Sequence, residues 1–381
     1  MSVELLTTLD QLEQLAPEWR GVEGSAAVPL PFATSDWALC WWRHLSEDRR
    51  LVRDRMFTLA VRGAGGALLA VLPMMITERP AVGPLRLRCL QYIGADANLT
   101  EIRTLTARPE HEAAVYREVL EYLRDARDRW DWVRFTGVRD GAAAALLDGE
   151  RCRWDGEVTD WVLPLGSSWQ ELKGGLSRNL KEALRKSVNA PRRDGLEFHL
   201  EVARTPAQMT PALDRFFALH ASRAAQGGTV LHPDVFRTGS SRRFLRELCD
   251  RFSARGVSHI FNLKLGETTI ATRLGFRLGS SMYLYFSGYD PAYGKYSAMT
   301  SCLAGAIQWS VEAGLTTINL ATGADPSKLR WAPQLHRYRE ARLVSPGLRA
   351  RAGHAGYTWA LEQIGEARAR VLFARLLRRR A

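Results

Sequence analysis

Two stretches of the chain repeat one pattern, and that repetition restricts the fold more than any other feature. FTLAVRGAGGALLAVLP, from Phe57 to Pro73, and FNLKLGETTIATRLGF, from Phe261 to Phe276, both read as strand, glycine turn, strand. Further along, a helix and strand ending in VRFTG at Gly137 is echoed by a helix and strand ending in INLATG at Gly323. The likeness is one of pattern rather than identity, with a period of about half the chain. It implies two similar α/β units that meet near residues 140–165. A length of 381 residues also exceeds one ordinary domain. The expected division is 1–160, 161–345 and a basic amphipathic helical tail, 346–381.

Within the second unit, Ser281 to Gly323 carries the most function-like pattern. Met282 to Phe286 reads as an aromatic strand, and Gly288 to Tyr296 as a turn-rich loop holding Asp290, Pro291 and Gly294. Ser297 is expected to cap a helix whose apolar face runs through Met299, Leu303, Ile307 and Val311, stopped by Gly314. Thr316 to Leu320 then reads as a short buried strand. A helix N-terminus directly after a strand offers free backbone N–H groups and a positive dipole end to an anion. The same shape also occurs in units that bind nothing.

Charge sharpens this. The net charge is +12, and it is concentrated. Lys173 to Arg193 carries seven basic residues and one acidic; Arg337 to Arg380 carries eleven arginines and three glutamates. Localised positive charge points to phosphate, nucleic acid or a lipid surface, or else to two solvated helix faces. The five cysteines are odd in number and far apart, with no C-x-x-C, which fits a reducing cytoplasm and no metal. The longest apolar run, Ala67 to Ile76, is about half the length a membrane-spanning helix needs. The first residues read as the start of an amphipathic helix over 3–20 rather than as a signal peptide.

The remaining elements follow from periodicity. Ser35 or Asp36 is placed to cap a helix with Trp37, Trp41 and Trp42, read as packing residues. Strands are expected at 86–93, 132–135, 161–165 and 198–202, and helices at 110–129, 169–188, 206–224 and 236–255. There is no phosphate-binding G-x-x-x-x-G-K-[ST] loop, no H-E-x-x-H, no zinc spacing and no G-x-S-x-G. Any donor must then be gripped by backbone amides and positive charge.

PFATSDWALCWWRHL, FFALHASR, IATRLGFRLGSSMYLYFSGYDPAY and KLRW, in that order and spacing, resemble the GNAT-superfamily acetyltransferases of bacterial cellulose and exopolysaccharide biosynthesis. That family is similar in architecture to the Fem-type aminoacyl transferases. The resemblance spans about residues 5–340. It implies two tandem GNAT-like domains, each a mixed, mainly antiparallel sheet flanked by helices. It also implies acyl transfer from acetyl-CoA, without a covalent intermediate, to an amine such as that of an amino sugar.

Carried onto this chain, the resemblance implies that the donor lies along Tyr285, Phe286, Tyr293, Gly294, Lys295, Tyr296 and Ser297. The acid or base would come from His220, Tyr289 or Asp325, with Tyr293 and Tyr296 as further candidate acids. Arg223, Asn319, Lys328, Arg330 and Trp331 would meet substrate. Pro291 stands where such enzymes have Gln or Arg, and Ser297-Ala298-Met299 where relatives have Ser-Pro-Gly. Two other readings stay open. One is a Fem-like transferase whose basic segments grip aminoacyl-tRNA. The other is a non-catalytic subunit of a polysaccharide synthase, held at the inner face of a membrane by its basic tail.

Overall fold

Val3 and Leu5 point the same way from an extended chain, and Thr8 stops it. The first residues therefore form a strand, β1 (Ser2–Leu6), and not the start of a helix over 3–20. Thr8 and Gln11 then make a reciprocal capping box that starts α1 (Leu9–Glu23). The structure, a computed structural model, describes residues 1–83, 85–96, 98–150, 152–226, 232–360 and 362–363.

The first half continues with α2 (Ser35–Leu45), β2 (Arg53–Met56), β3 (Thr58–Arg62), β4 (Leu68–Leu72), β5 (Met74–Arg79), β6 (Leu87–Tyr92), β7 (Thr106–Ala107), α3 (Glu112–Asp125), β8 (Trp132–Val138), α4 (Ala142–Gly149) and β9 (Arg153–Pro164). The second half runs α5 (Trp169–Gly175), α6 (Arg178–Arg193), β10 (Phe198–Ala203), α7 (Pro206–Ala224), α8 (Gly239–Ala254), β11 (Ser258–Leu265), β12 (Thr268–Leu278), β13 (Ser281–Tyr289), α9 (Ala298–Glu312), β14 (Thr317–Thr322), α10 (Pro326–Leu329) and β15 (Gln334–Val344). Thr34, not Ser35 or Asp36, caps α2. The helix expected over 169–188 is two helices, because Leu176 and Ser177 are extended and the Ser177 hydroxyl caps α6 afresh.

The halves share a common pattern of pairing. The hairpin β3–β4 matches β11–β12, and each half contains one parallel pair, β6·β8 and β13·β14, in otherwise antiparallel pairing. They also exchange strands. β9, from the first half, lies between β14 and β15, while β15, from the second half, lies between β9 and β8. One eleven-stranded sheet thus runs through both lobes, with a four-stranded sheet, β1-β3-β4-β7, beside it.

Helices cover both faces. On one face α1 and α2 meet α7 and α8 around Trp37, Trp41, Phe244 and Phe276, all buried, so the lobes share this core. The tryptophans of α2 are packing residues: the Trp37 indole bonds to Thr100 and contacts Phe32, Phe244 and Tyr285. On the other face, α3 and α4 cover the first lobe and α6 and α9 the second.

Part of the C-terminal positive charge lies in a strand. Arg339 sits over the Trp154 ring and Arg342 pairs with Asp155 at 2.5 Å, both on β15. Residues 348–360 are helical, whereas the RLLRRR segment and the apolar positions from Leu361, Ile364 and Val371 onward lie outside the described residues. Among the described residues no helix is long and apolar enough to cross a membrane.

Candidate functional site

The two strands of the second parallel pair part company. β13 and β14 are bonded only at Ser281–Tyr283 and Thr317–Asn319. Beyond that, β13 carries a bulge, since Leu284 faces Gly275 while Ser287 faces Arg273. β14 turns at Ala321, whose φ is 68° and whose amide bonds to the Asn319 side chain at 2.8 Å. The result is a V with unladdered backbone on its inner edges.

α9 begins just past the open end, and its first amides have no carbonyl within the helix to bond. Ser297 does not cap it. Its left-handed backbone (φ 54°, ψ 40°) turns the hydroxyl away from those amides, and no side-chain cap bond forms.

The first lobe has the same V and fills it. β6 and β8 pair only at Cys89–Gln91 and Trp132–Arg134. Residues 103–106 then lie across the opening: Thr136 donates to the Arg103 carbonyl at 2.7 Å and Thr104 to that of Gly137 at 3.1 Å. A Cβ on Gly137 would come 2.5 Å from the Arg103 carbonyl. The space a donor would need is taken there, so the second lobe holds the candidate donor site.

Charged side chains gather at the mouth of the open V. Glu101 arrives from the first lobe and accepts the Tyr283 hydroxyl. Burial pushes its carboxyl up to about 7, against the pull of Tyr283, Lys328 and the Thr322 amide. Lys328 donates to the Thr322 carbonyl at 2.6 Å, and burial brings its ammonium down to about 8. Arg273, opposite Ser287, is lowered to about 10 by burial, and its Nε has no partner. Arg223 donates to the Ser287 hydroxyl at 2.7 Å and to a His232 ring nitrogen at 2.8 Å. Arg330 reaches Thr300 at 2.8 Å, in the first turn of α9. Its Nε and the Ser301 hydroxyl, both buried, are also without partners. Four cations against Glu101 and Asp325, with unused donors facing a helix N-terminus, suit an anion.

The structure brings Arg223, Asp325, Lys328 and Arg330 together around this V, with Tyr289 half-buried near Arg223. Asp325 caps α10 through the Ser327 amide at 2.7 Å. Burial opposes its ionisation, but Ser327, Lys328 and Arg223 hold it below the usual range, which makes it a weak base.

His220 is not in the mouth. It is packed among Phe216, Phe236 and Phe286, with its Nδ1 on the Ser287 carbonyl at 3.1 Å. Burial keeps it neutral, so it braces the bulge instead of reaching an acceptor. Gly288 makes this possible, because a Cβ there would lie 2.3 Å from the His220 backbone nitrogen.

The other expected residues are dispersed. Tyr285 and Phe286 pack into the shared core, with the Tyr285 hydroxyl on the Leu99 carbonyl, so only their backbone faces the V. Asn319 is buried on Asp160 at 2.6 Å, and Trp331 is buried behind α9. Gly294 is exposed and Tyr293 half-buried against the α9 side of the sheet. Lys295 and Tyr296 both bond to Asp194, at 2.9 and 2.6 Å, so a carboxylate sits against the loop. Sequence reasoning missed Glu101, Tyr283, Asp160, Arg273 and Asp194.

Residues 177–329 match a family model described as an acetyltransferase (GNAT) domain. The structure of FemX superposes with a TM-score of 0.59 at 11% identity, covering 89% of this chain and 97% of that one. The two lobes are a tandem GNAT-like fold. The C-terminal domain of a putative lysylphosphatidylglycerol synthetase from Agrobacterium fabrum superposes at 0.51, with 12% identity over 93% and 97% of the chains. A tandem GNAT protein from the clavulanic acid biosynthesis pathway gives 0.48, with 10% identity over 91% and 99%. No curated protein sequence matches. The GNAT match contains the open V, α9, Arg223, Arg273 and Lys328; Arg330 lies one residue past it, and Glu101 comes from the first lobe.

Proposed function

We propose that this tandem GNAT-like protein is an acyl-CoA-dependent N-acyltransferase, probing one amine acceptor with one activated acyl group at the mouth of the open V. The observation that carries this reading is the placing of Glu101 against Tyr283, Thr322 and Lys328 at the β13/β14 opening, with α9 beginning just past the open end. The donor's phosphates would lie on the α9 amides, Ser301 and Arg330. Its acyl carbonyl would take an amide from the β13 bulge as the oxyanion forms. Glu101, poised near neutrality, would take the proton of the attacking amine as the C–N bond forms, Lys328 would steady the oxyanion, and collapse of that intermediate would break the C–S bond and release CoA as its thiolate. The acceptor class is an amino sugar or related amine of bacterial polysaccharide or envelope synthesis, consistent with the sequence resemblance.

The test is calorimetry with acetyl-CoA. Binding in the micromolar range is expected, weakened about tenfold by Arg330→Ala, the worth of one charge-assisted hydrogen bond. No binding of any CoA species would overturn this reading.

One observation favours a second reading. The exposed side chains Arg185, Lys186, Arg192 and Arg193 of α6 flank the loop before α9, to which Asp194 ties that helix. An aminoacyl-tRNA donor would use them. Its binding would fall steeply with salt and with Arg185→Ala and Lys186→Ala, changes that leave CoA binding unaltered.

A further inference from the structure

The face of the sheet that carries Tyr283 has a second depression, at the closed end of the V. It is a groove of about 790 Å³ between the end of α1, the 24–29 segment, the β12–β13 turn and the starts of β13 and β14. That volume is typical of small-molecule sites.

Three arginines reach its wall. Arg20 and Arg255 are both anchored from behind on Asp36, which is fully buried and also faces Arg251. Arg255 donates to Glu23 at 3.2 Å, and Glu23 already accepts the Ser35 amide and hydroxyl. Arg277 makes one long contact, 3.5 Å to the Gly279 carbonyl, and forms no ion pair among the described residues. The carboxylates are thus committed and the arginines are in surplus. Val28 and Leu278 give the groove an apolar side.

Its inner end reaches residues that also bond to the site above. Tyr283, buried, is on the groove wall and bonds Glu101 with its hydroxyl. Asn319 lines it and donates to Asp160, a fully buried carboxylate whose Oδ1 has no hydrogen-bond partner and lies 3.8 Å from His336, itself on the wall.

We propose that this groove anchors the acceptor, and that the acceptor carries a carboxylate or phosphate. Arg277, with Arg20 and Arg255, holds that anion; the apolar or sugar-sized body lies against Val28 and Leu278; the amine end is directed past Tyr283 to Glu101. The word acceptor rests on the acyltransferase reading. The preference for an amphipathic anion rests on the groove alone.

The experiment uses anilinonaphthalene sulfonate, an amphipathic anion that fluoresces when bound, titrated into the full chain. Saturable binding at one site is expected. Arg277→Ala should weaken it about tenfold, as expected for one charge-assisted contact, and Ala27→Trp, at an exposed wall position, should abolish it. Uncharged N-phenylnaphthylamine should bind far more weakly than the sulfonate. Equal sulfonate binding in all three proteins, or equal binding of the charged and uncharged probes, would overturn the proposal. Acetyl-CoA calorimetry on the same variants should be unchanged. Because the probe needs neither donor nor turnover, loss of the groove and loss of the acyltransferase reading give different results.

Discussion

Glu101→Gln should separate stability from catalysis at one atom. In the folded protein burial raises the carboxyl from 4.5 to about 7. Below pH 4.5 both folded and unfolded chains hold the proton, and Glu101 makes no pH-dependent contribution. Between there and about 7 the unfolded chain releases its proton first, so stability falls as pH rises. Above 7 both are ionised and the full cost remains. At 1.36 kcal/mol per unit, that cost is about 3 kcal/mol. Glutamine keeps an oxygen for the Tyr283 hydroxyl and never ionises. The variant should therefore gain about 3 kcal/mol over the wild-type protein on going from pH 4 to pH 8, read by denaturant melts at both pH values. In a transfer assay, the wild-type kcat/KM should rise through pH 7, and the variant should lose that limb along with about 10²–10⁴ in rate. A variant whose relative stability is the same at both pH values would refute the raised carboxyl, and the base role with it.

Asp194→Asn removes the carboxylate held against Lys295 and Tyr296, so donor binding measured by calorimetry should tighten several-fold. Gly288→Ala forces a Cβ into the α7 backbone, where nothing can swing aside; a loss of about 2 kcal/mol or more in melts is expected, with transfer impaired as the bulge shifts. Ser297→Gly relieves a left-handed residue that forms no cap bond, and should stabilise by about 0.5–1 kcal/mol in the same melts. Trp37→Ala empties the core shared by both lobes; a cost of about 3–5 kcal/mol, with the two lobes still melting in one transition by circular dichroism and tryptophan fluorescence, is expected.

Local pattern made much of this fold legible. The hairpins β3–β4 and β11–β12, the bounds of α7 and the run from β13 to β14 could all be read, because each depends on periodicity and turn residues within its own span. What escaped depends on partners distant in sequence. β9 read as a short strand at 161–165, since the polar residues 153–160 gain their pairing from β15, nearly two hundred residues later, with Asp160 also paired to Thr322 of β14. The site divided along the same line. Arg223, Lys328 and Arg330 came with the resemblance, through short motifs that lie within the second lobe. Glu101 did not, because its chemistry comes from burial against Tyr283 across the lobe boundary. Ser297 misled for the opposite reason: its identity suits a cap, but the sharp turn after Tyr296 required a left-handed residue there.

The strand exchange also bears on synthesis. A ribosome delivers β8 and β9 long before β15, so one side of β8 waits unpaired until about 180 more residues have emerged. At ~5–20 residues per second that is roughly 10–40 s, during which the nascent first half exposes a sheet edge that only its own C-terminal half is shaped to cover.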